Sequence, residues 1–234
     1  MLHSKRYKHV FFDLDHTLWD FEKNSSETLS ELYDQFNLAE RENFTKKDFV
    51  HTFHAVNKKL WASYNNGLLN RDKLREERFK IVFTQLGAKN SKLIDEIGRE
   101  YLNTCPTKAN LFPFAVDVLQ YLKQHYILHI ITNGFEEIQF IKLSSSKISQ
   151  YFAEIVTSDA SGFNKPHKGI FDYALTKTKA FCCDCIMVGD DLEADILGAK
   201  NASMDHIFFN PVGLIHKEKV THEISCLSQL MKIL

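Results

Sequence analysis

The amino-acid sequence predicts an α/β fold, in which a doubly wound parallel sheet carries an all-α segment inserted after its first strand. Three observations predict it. From about residue 110 onward, short apolar segments alternate with helical patterns, which is typical of parallel strands covered by helices on both faces. A similar apolar segment, VFFDLD at residues 10–15, stands apart from the others. Between them, residues 22–105 contain no proline and few glycines, as in a block of helices.

The helices of the inserted block are predicted from the spacing of their apolar residues. Leu29, Leu32 and Phe36 recur at intervals of three and four, which indicates an amphipathic helix. Turn-like sequences, NNG at residues 65–67 and GAKN at residues 87–90, separate neighbouring helices. The pattern predicts helices at residues 24–36, 46–64, 71–85 and 91–104.

The remaining elements follow the alternation of strand, loop and helix. Strands are predicted at residues 10–15, 127–132, 153–158, 185–188 and 206–209. Helices are predicted at residues 114–125, 136–144, 168–177 and 192–201. The predicted boundaries are a discontinuous α/β core domain of residues 1–20 and 108–234 and a helical domain of residues 21–107.

Composition excludes several classes of function. The sequence has 29 Lys and Arg against 30 Asp and Glu, so its net charge is −1 and no global field favours a nucleic-acid polymer or a membrane surface as partner. The apolar run before Asp13 is too short for a secretory signal. Five cysteines, an odd number, suggest reduced thiols, and the expected location is cytoplasmic. Cys182, Cys183 and Cys185 are spaced too closely for a tetrahedral zinc site, so we expect structural thiols.

The polar residues that follow the predicted strands are the candidates for a functional site, because ligands of doubly wound sheets bind beyond the carboxyl ends of the strands. Each of these residues alone has an ordinary explanation as a cap, a turn or a solvated side chain. Together they form a set of acids, a lysine and a hydroxyl at one edge of the sheet. The set comprises Asp13, Asp15, Thr17, Thr132, Asn133, Gly134, Lys165, Gly189, Asp190, Asp191 and Asp195.

Carboxylates crowded at one edge would repel each other and raise each other's pKa values. A divalent cation removes this repulsion, and hard oxygen ligands with room for a phosphate oxygen indicate Mg²⁺. The predicted ligands are the side chains of Asp13 and Asp190 and the backbone carbonyl of Asp15.

A phosphate bound beside such a cation needs further compensation of its charge. Lys165 can supply a point charge and Thr132 a hydroxyl donor, and Asn133 joins them as a predicted phosphate-binding residue. Asp13 is then placed to attack phosphorus as a nucleophile. Asp15 would protonate the leaving oxygen and later deprotonate water, as a general acid and base.

Four motifs, DLDHT, ITNG, the Lys165-Pro166 pair and VGDDLEAD, resemble in order the four signature motifs of the haloacid dehalogenase (HAD) superfamily of hydrolases. The resemblance implies a Rossmann-like core with a helical cap of the C1 type. It implies a phosphoaspartyl intermediate on Asp13, acid and base catalysis by Asp15, and Mg²⁺ as cofactor. Asp191 or Asp195 would lie behind the direct ligands of the cation.

The segment DLDHTLWDFEKNS, together with ITNGF further along, is similar to the subgroup of pyrimidine-nucleotide 5′-nucleotidases. The implied substrate is a nucleoside monophosphate, a small phosphate monoester. His16, Trp19 and Phe21 are possible substrate contacts. Trp19 and Phe21 could stack on a base, although packing explains aromatic residues at this place equally well.

Other functions on the same scaffold stay open. They are a sugar-phosphate phosphatase, a phosphoglycolate phosphatase, a mutase like β-phosphoglucomutase and a small pyrophosphatase. A carbon–halogen hydrolase is disfavoured because it lacks the acid that Asp15 supplies. A receiver module of signal transduction is disfavoured because it is one shorter domain without an insertion. The sequence predicts neither the oligomeric state nor the exact substrate.

Overall fold

The structure is a computed structural model that describes residues 7–88 and 90–234. The chain divides into two compact units. The α/β unit combines the chain up to Asp20 with Ala109–Leu234, and the helical unit is Phe21–Lys108. The functional division into a catalytic core and a cap, and the domain boundaries that go with it, stay a prediction.

The α/β unit is built on one six-stranded sheet in which all neighbouring strands are parallel. The strand order β3-β2-β1-β4-β5-β6 places β1 in the interior of the sheet. This arrangement confirms the predicted doubly wound α/β fold. The strands are β1 (His9–Phe12), β2 (Ile127–Thr132), β3 (Phe152–Thr157), β4 (Cys185–Gly189), β5 (Asp205–Phe209) and β6 (His222–Ile224).

The position of each strand in the sheet explains its burial. All four residues of β1 are buried, because neighbours flank this strand on both sides and helices cover its faces. The edge strands β3 and β6 are buried only in part. On one face of the sheet, Phe11, Ile131 and Met187 pack against Ile170 and Phe171. This helix packing buries the strands that lead to the candidate site.

Most helices of the α/β unit lie in the connections that lead to β2, β3, β4 and β5, and the last helix follows β6. A π-helical turn, Leu192–Leu197, opens the connection from β4 to β5. The helices are α6 (Ala115–Leu122), α7 (Glu136–Ser145), α8 (Ser158–Ser161), α9 (Lys168–Thr178), α10 (Gly198–Asn201) and α11 (Leu230–Ile233), numbered after those of the helical unit.

The helical unit has its own core of aromatic side chains. Phe49, Phe53, Phe79 and Tyr101 are buried, with ring centroids of neighbours 4.7–6.4 Å apart. Arg78 is buried among these rings and donates a hydrogen bond to Asn57. The helices are α1 (Phe21–Gln35), α2 (Leu38–Arg41), α3 (Lys46–Asn65), α4 (Arg71–Gln85) and α5 (Ser91–Thr104).

Three features differ from the predicted elements. Strand β1 ends at Phe12, so the acids of the DLD sequence follow the strand and do not belong to it. The predicted helix at residues 192–201 is a π-helical turn followed by α10. Four short elements have no counterpart among the predicted ones, because each is only three or four residues long; they are helices α2, α8 and α11 and strand β6. Among the described residues, every helix is too short or too polar to cross a membrane.

Candidate active site

The carboxyl end of β1 supplies the first candidate residue. β1 pairs in parallel with β2 on one side and with β4 on the other. Pairing continues one residue beyond the strand, since the backbone N–H of Asp13 donates to the carbonyl of Val188 at 2.9 Å. The carboxyl ends of parallel neighbours meet at one edge, so Asp13 lies beside the residues that end β2 and β4.

Lys165 makes direct contact with this aspartate, 152 residues away in the sequence. Its Nζ donates to Asp13 Oδ1 at 2.6 Å, to Asp195 Oδ1 at 2.6 Å and to the carbonyl of Ile131 at 2.9 Å. The lysine is only 2% exposed, so it is not a solvated surface residue. Burial lowers the pKa of Lys165, but the two carboxylates outweigh this and hold its pKa above the ordinary value.

The end of β2 fixes the backbone that carries Lys165. The side chain of Asn133 pairs with that backbone twice, accepting from Lys165 N at 2.6 Å and donating to Lys165 O at 2.9 Å. Ser158 Oγ donates to the carbonyl of Asn133. Thr132 Oγ1 accepts from the N–H of Gly134 at 3.0 Å, which leaves its own hydroxyl hydrogen for donation. The contacts observed for Asn133 therefore position the lysine, and its predicted contact with phosphate stays a prediction.

Three carboxylates come together around the lysine. Oxygen atoms of Asp13, Asp190 and Asp195 lie within 4.8 Å of one another. Thr17 Oγ1 donates to Asp190 Oδ1 at 3.0 Å, which orients this carboxylate from the turn after β1. Asp13 and Asp195 are buried, and Asp190 is partly exposed. The structure thus assembles residues from three separate parts of the sequence, as the strand-end pattern predicts.

The charges of this cluster do not balance. Burial raises the pKa of Asp13 and of Asp195 to about 7, although Lys165 acts in the opposite direction on both. Burial and the neighbouring Asp195 raise the pKa of Asp190 well above its ordinary value. One ammonium group cannot neutralise three carboxylates, and oxygen ligands of this kind suit a hard divalent cation such as Mg²⁺. The residues present therefore fit the predicted cofactor.

Asp191 and Asp195, which follow β4, take different places. Asp195 belongs to the cluster, and its Oδ2 accepts from the backbone N–H of Asp191. A Cβ atom on Gly189 would lie 2.2 Å from that same oxygen, so this close approach requires glycine. The side chain of Asp191 caps the π-helical turn, accepting from Glu193 N and Ala194 N at 2.8 Å. Whether either acid acts behind the direct ligands stays a prediction.

Asp15 is held by a separate set of partners on α7. Its Oδ1 accepts from Lys142 Nζ at 2.5 Å and its Oδ2 from Gln139 Nε2 at 3.0 Å. Burial raises the pKa of Asp15, but the ammonium group of Lys142 and both hydrogen bonds outweigh this and hold it below the ordinary value. The sequence reasoning missed both partners. The signal was available, because residues 139 and 142 are three apart on the helix that begins at the end of β2 and so share a face.

The three possible substrate contacts lie in different surroundings. His16 adopts a left-handed backbone conformation, with φ 63°, in the turn after the DLD acids. Trp19 is fully buried in the α/β unit, with Lys142 Nζ 4.5 Å from its ring centroid. Phe21 opens α1 of the helical unit, where its ring meets His54 edge-on. These contacts of Trp19 and Phe21 are with side chains of the protein, and their contact with substrate stays a prediction.

The cysteines do not form a metal site in the described part of the chain. The five cysteines, all of which lie within the described residues, form no disulfide bond. Cys185 is buried in β4, and burial raises the pKa of its thiol to about 12. The clustered metal-ligating groups found among the described residues are the three aspartates, and the structural role of the cysteines stays a prediction.

Comparison with known proteins adds to this geometry. Residues 7–203 match the family of haloacid dehalogenase-like hydrolases. Pyrimidine 5′-nucleotidase YjjG of Escherichia coli (strain K12) is 32% identical over 228 residues, which cover 96% of this chain and 96% of that protein. Glyceraldehyde 3-phosphate phosphatase of Pyrococcus furiosus is 31% identical over 243 residues, covering 98% of this chain and 94% of that protein.

A solved structure shows the same fold along nearly the whole chain. The crystal structure of the HAD-hydrolase YfnB of Bacillus subtilis, bound to magnesium, matches with a TM-score of 0.87 and 28% identity. The match covers 97% of this chain and 98% of that one. With a family match over most of its length and a relative more than 30% identical, the chain belongs to the haloacid dehalogenase-like hydrolases.

Proposed function

We propose that this protein is a Mg²⁺-dependent phosphomonoesterase that works through an aspartyl-phosphate on Asp13 and acts on pyrimidine nucleoside monophosphates. The observation that carries the proposal is the position of Asp13. Its carboxylate lies 2.6 Å from Lys165, belongs to the cluster with Asp190 and Asp195, and precedes Asp15 by two residues.

In the first step, a carboxylate oxygen of Asp13 attacks phosphorus while the bond between phosphorus and the ester oxygen breaks. Asp15 delivers a proton to that ester oxygen, so the alcohol leaves neutral. Lys165 holds Asp13 in place and offsets negative charge on the phosphoryl group. The hydroxyl of Thr132 is a donor at the same edge of the sheet.

In the second step, water attacks phosphorus and the bond to Asp13 breaks, which releases inorganic phosphate and restores the carboxylate. Asp15, now ionised, takes the proton from the water. The hydrogen bonds from α7 keep the pKa of Asp15 below its ordinary value, which makes its carboxyl group a stronger acid in the first step and favours its ionised form in the second. A Mg²⁺ ion held by Asp13, Asp190 and the carbonyl of Asp15, with Asp195 beside them, would neutralise the excess charge of cluster and phosphate.

The choice of pyrimidine nucleotides is supported by the relative YjjG, a pyrimidine 5′-nucleotidase 32% identical over nearly the whole chain. A second candidate is supported by the relative in Pyrococcus furiosus, a glyceraldehyde 3-phosphate phosphatase at 31% identity. Both reactions use the same strand-end residues, so they differ only in the part of the site that recognises the alcohol.

Two measurements test the proposal. Asp13→Asn should lower Mg²⁺-dependent hydrolysis of p-nitrophenyl phosphate by at least about 10⁴-fold, because the amide is no nucleophile; retained turnover would remove Asp13 from this role. A phosphate-release panel should then rank uridine and thymidine monophosphates above glyceraldehyde 3-phosphate, hexose phosphates, phosphoglycolate and pyrophosphate. A panel led by a sugar or triose phosphate would favour the second candidate.

A further inference from the structure

Lys142 is a buried lysine outside the four motifs. It lies on α7 and is only 5% exposed. Taking an ammonium group out of water is costly unless a partner of opposite charge compensates it. The partner is Asp15, whose Oδ1 lies 2.5 Å from Lys142 Nζ. Lys142 is therefore a buried neighbour of Asp15, the proposed acid and base, and not a solvent-exposed lysine of the helix surface.

Gln139 reaches the same carboxylate from one helical turn earlier. Its Nε2 donates to Asp15 Oδ2 at 3.0 Å, so α7 holds both oxygens of Asp15. The amide is itself buried, and its Oε1 has no hydrogen-bond partner among the described residues. A buried acceptor without a partner costs free energy, so packing alone does not explain a glutamine here. The hydrogen bond from Gln139 to Asp15 explains why a glutamine is present at this position.

The backbone before α7 is shaped to let Gln139 through. A Cβ atom on Gly134 would lie 1.6 Å from Gln139 Nε2 and 2.5 Å from Cδ of the same side chain. Any other residue at position 134 would push the amide away from Asp15. The glycine of the ITNG motif thus gives the side chain of Gln139 its route to the carboxylate.

Trp19 limits the movement of Lys142 from another side. The centroid of its ring lies 4.5 Å from Lys142 Nζ, within the range of a favourable cation–π interaction. The backbone of Trp19 also forms a bridge with that of Asp15. Ring, ammonium and carboxylate therefore hold one another in a fixed arrangement inside the α/β unit.

We propose that Lys142 and Gln139 are positioning residues that fix the Asp15 carboxyl group for proton transfer to the leaving alcohol, so that the enzyme can cleave monoesters of poorly departing, alkyl-type alcohols such as the 5′-hydroxyl of a nucleoside. The inference rests on the proposed function, because it assigns a role within the first chemical step. In that step the proton moves from Asp15 to the ester oxygen as the bond from that oxygen to phosphorus breaks.

The leaving group offers a direct test of this role. An alkoxide is a poor leaving group and needs the proton of Asp15 as it departs, whereas p-nitrophenolate is a stable anion and needs little help. General acid catalysis typically contributes about 10²–10⁴-fold to a rate. Loss of a positioned Asp15 should therefore slow nucleotide cleavage far more than cleavage of p-nitrophenyl phosphate.

The experiment compares kcat/KM for uridine monophosphate and for p-nitrophenyl phosphate, since kcat/KM reports the steps up to release of the alcohol. Lys142→Met should lower kcat/KM by about 100-fold for the nucleotide and by less than about fivefold for the aryl ester. Lys142→Arg, which keeps the charge, should recover most of the nucleotide activity. Lys177→Met is the matched control, because it breaks an ion pair of the same unit with Glu154, and should change neither value.

A double-substitution cycle separates positioning from general damage to the structure. If Lys142 acts through Asp15, adding Lys142→Met to Asp15→Asn should lower nucleotide cleavage no further than Asp15→Asn alone. Additive losses, or equal losses on both substrates, would overturn the inference. If Lys142→Met loses its far-UV circular dichroism signal, Gln139→Leu and Gly134→Ala replace it in the comparison. Each should lower kcat/KM for the nucleotide preferentially, by about tenfold. Absence of this preferential loss would contradict the inference.

Failure of the inference is distinguishable from failure of the proposed function. Asp13→Asn tests the proposed function on both substrates, whereas Lys142→Met tests the inference by the ratio between them. A wild-type enzyme that hydrolyses neither ester with Mg²⁺ would remove both. A wild-type enzyme that hydrolyses both, with a Lys142→Met variant that loses them equally, would remove the inference alone.

Discussion

The two ends of the central strands bury polar side chains in contrasting ways. At the carboxyl ends, Asp13 lies among charged groups, with Lys165 2.6 Å away and two further carboxylates nearby. At the amino ends, two imidazoles meet instead. Nδ1 of His9 on β1 lies 3.0 Å from Nε2 of His129 on β2, and both rings are buried.

The two arrangements differ in what they need from outside the protein. The two imidazoles hydrogen-bond to each other when both rings are neutral, with one nitrogen donating and the other accepting, although Nδ1 of His129 is buried without a partner among the described residues. The aspartate cluster has more negative charge than Lys165 can offset and gains from a cation or a ligand. We therefore expect substitutions at the carboxyl ends to change activity and Mg²⁺ binding, and substitutions at the amino ends to change only how stability depends on pH.

Of the three further effects that this comparison predicts, the largest should come from Lys165→Met. The substitution removes the ammonium group that contacts Asp13 and Asp195, and with it the charge that we propose stabilises the transferred phosphoryl group. We expect turnover to fall by about 10²–10³-fold. Because the phosphoryl group is the same in every substrate, the loss should be equal for uridine monophosphate and p-nitrophenyl phosphate, unlike the loss expected for Lys142→Met.

Lys168→Met is the control for this comparison. Lys168 lies three residues further on, is exposed and pairs with Asp172 within its own helix, so its loss should leave steady-state turnover unchanged. A near-normal rate for Lys165→Met, or a loss confined to one substrate, would contradict the role given to this lysine.

The second effect concerns the cation and is measured without activity. A ligand that binds only the folded state raises its stability, by about 2.7 kcal/mol at a concentration 100 times Kd. Mg²⁺ should therefore raise the Tm of the wild-type protein by several degrees, and Asp190→Asn should reduce this rise to less than half. In EDTA the variant should be at least as stable as the wild type, because it removes one of three mutually repelling carboxylates.

Asp172→Asn serves as the control in the same thermal scan. It removes an exposed carboxylate, paired with Lys168, outside the cluster, so the full Mg²⁺ shift should remain. A shift in Asp190→Asn as large as in the wild type would mean that the cation binds elsewhere.

Sequence reasoning could predict the carboxyl-end cluster because parallel strands align their ends. Once β1, β2 and β4 are taken as neighbours in one sheet, Asp13, Thr132 and Asp190 must lie at one edge, however far apart they are in the sequence. Lys165 follows from the loop after β3, and the motif pattern names it. The same topology predicts the fold class, and comparison with known proteins confirms the family.

Contacts made by side chains of helices were harder to predict. Lys142 looks in the sequence like any solvated helix lysine, because only the folded turn from Asp15 to Trp19 shows that the carboxylate lies beside it. A π-helical turn places Asp195 in the cluster and Asp191 at the helix cap, and the periodicity of the sequence contains no signal for such a turn. The contact between His9 and His129 has no signal in the sequence, because only the register of β1 against β2 places the two residues together.

The smallest effect should come from the amino ends and appear only in the pH dependence of stability. Burial lowers the pKa of His129 to about 4, and the neighbouring His9 acts in the same direction. Burial also lowers the pKa of His9, while Asp184 raises it and Lys8 lowers it. The unfolded chain binds the proton of His129 near pH 6.5, so between pH 6.5 and 4 the unfolded state holds more protons than the folded state. Stability is therefore full above pH 6.5 and falls as the pH drops through this window, by about 1–2 kcal/mol between pH 7 and pH 5.

His129→Gln tests this pH dependence, because glutamine keeps a polar partner for His9 but cannot titrate. Urea unfolding at pH 7 and pH 5 should give free energies of unfolding whose difference is smaller by that amount. The control His125→Gln, at an exposed site, should match the wild type. If His129→Gln lost stability on acidification as steeply as the wild type, or lost activity as Lys165→Met does, the contrast between the two strand ends would not hold.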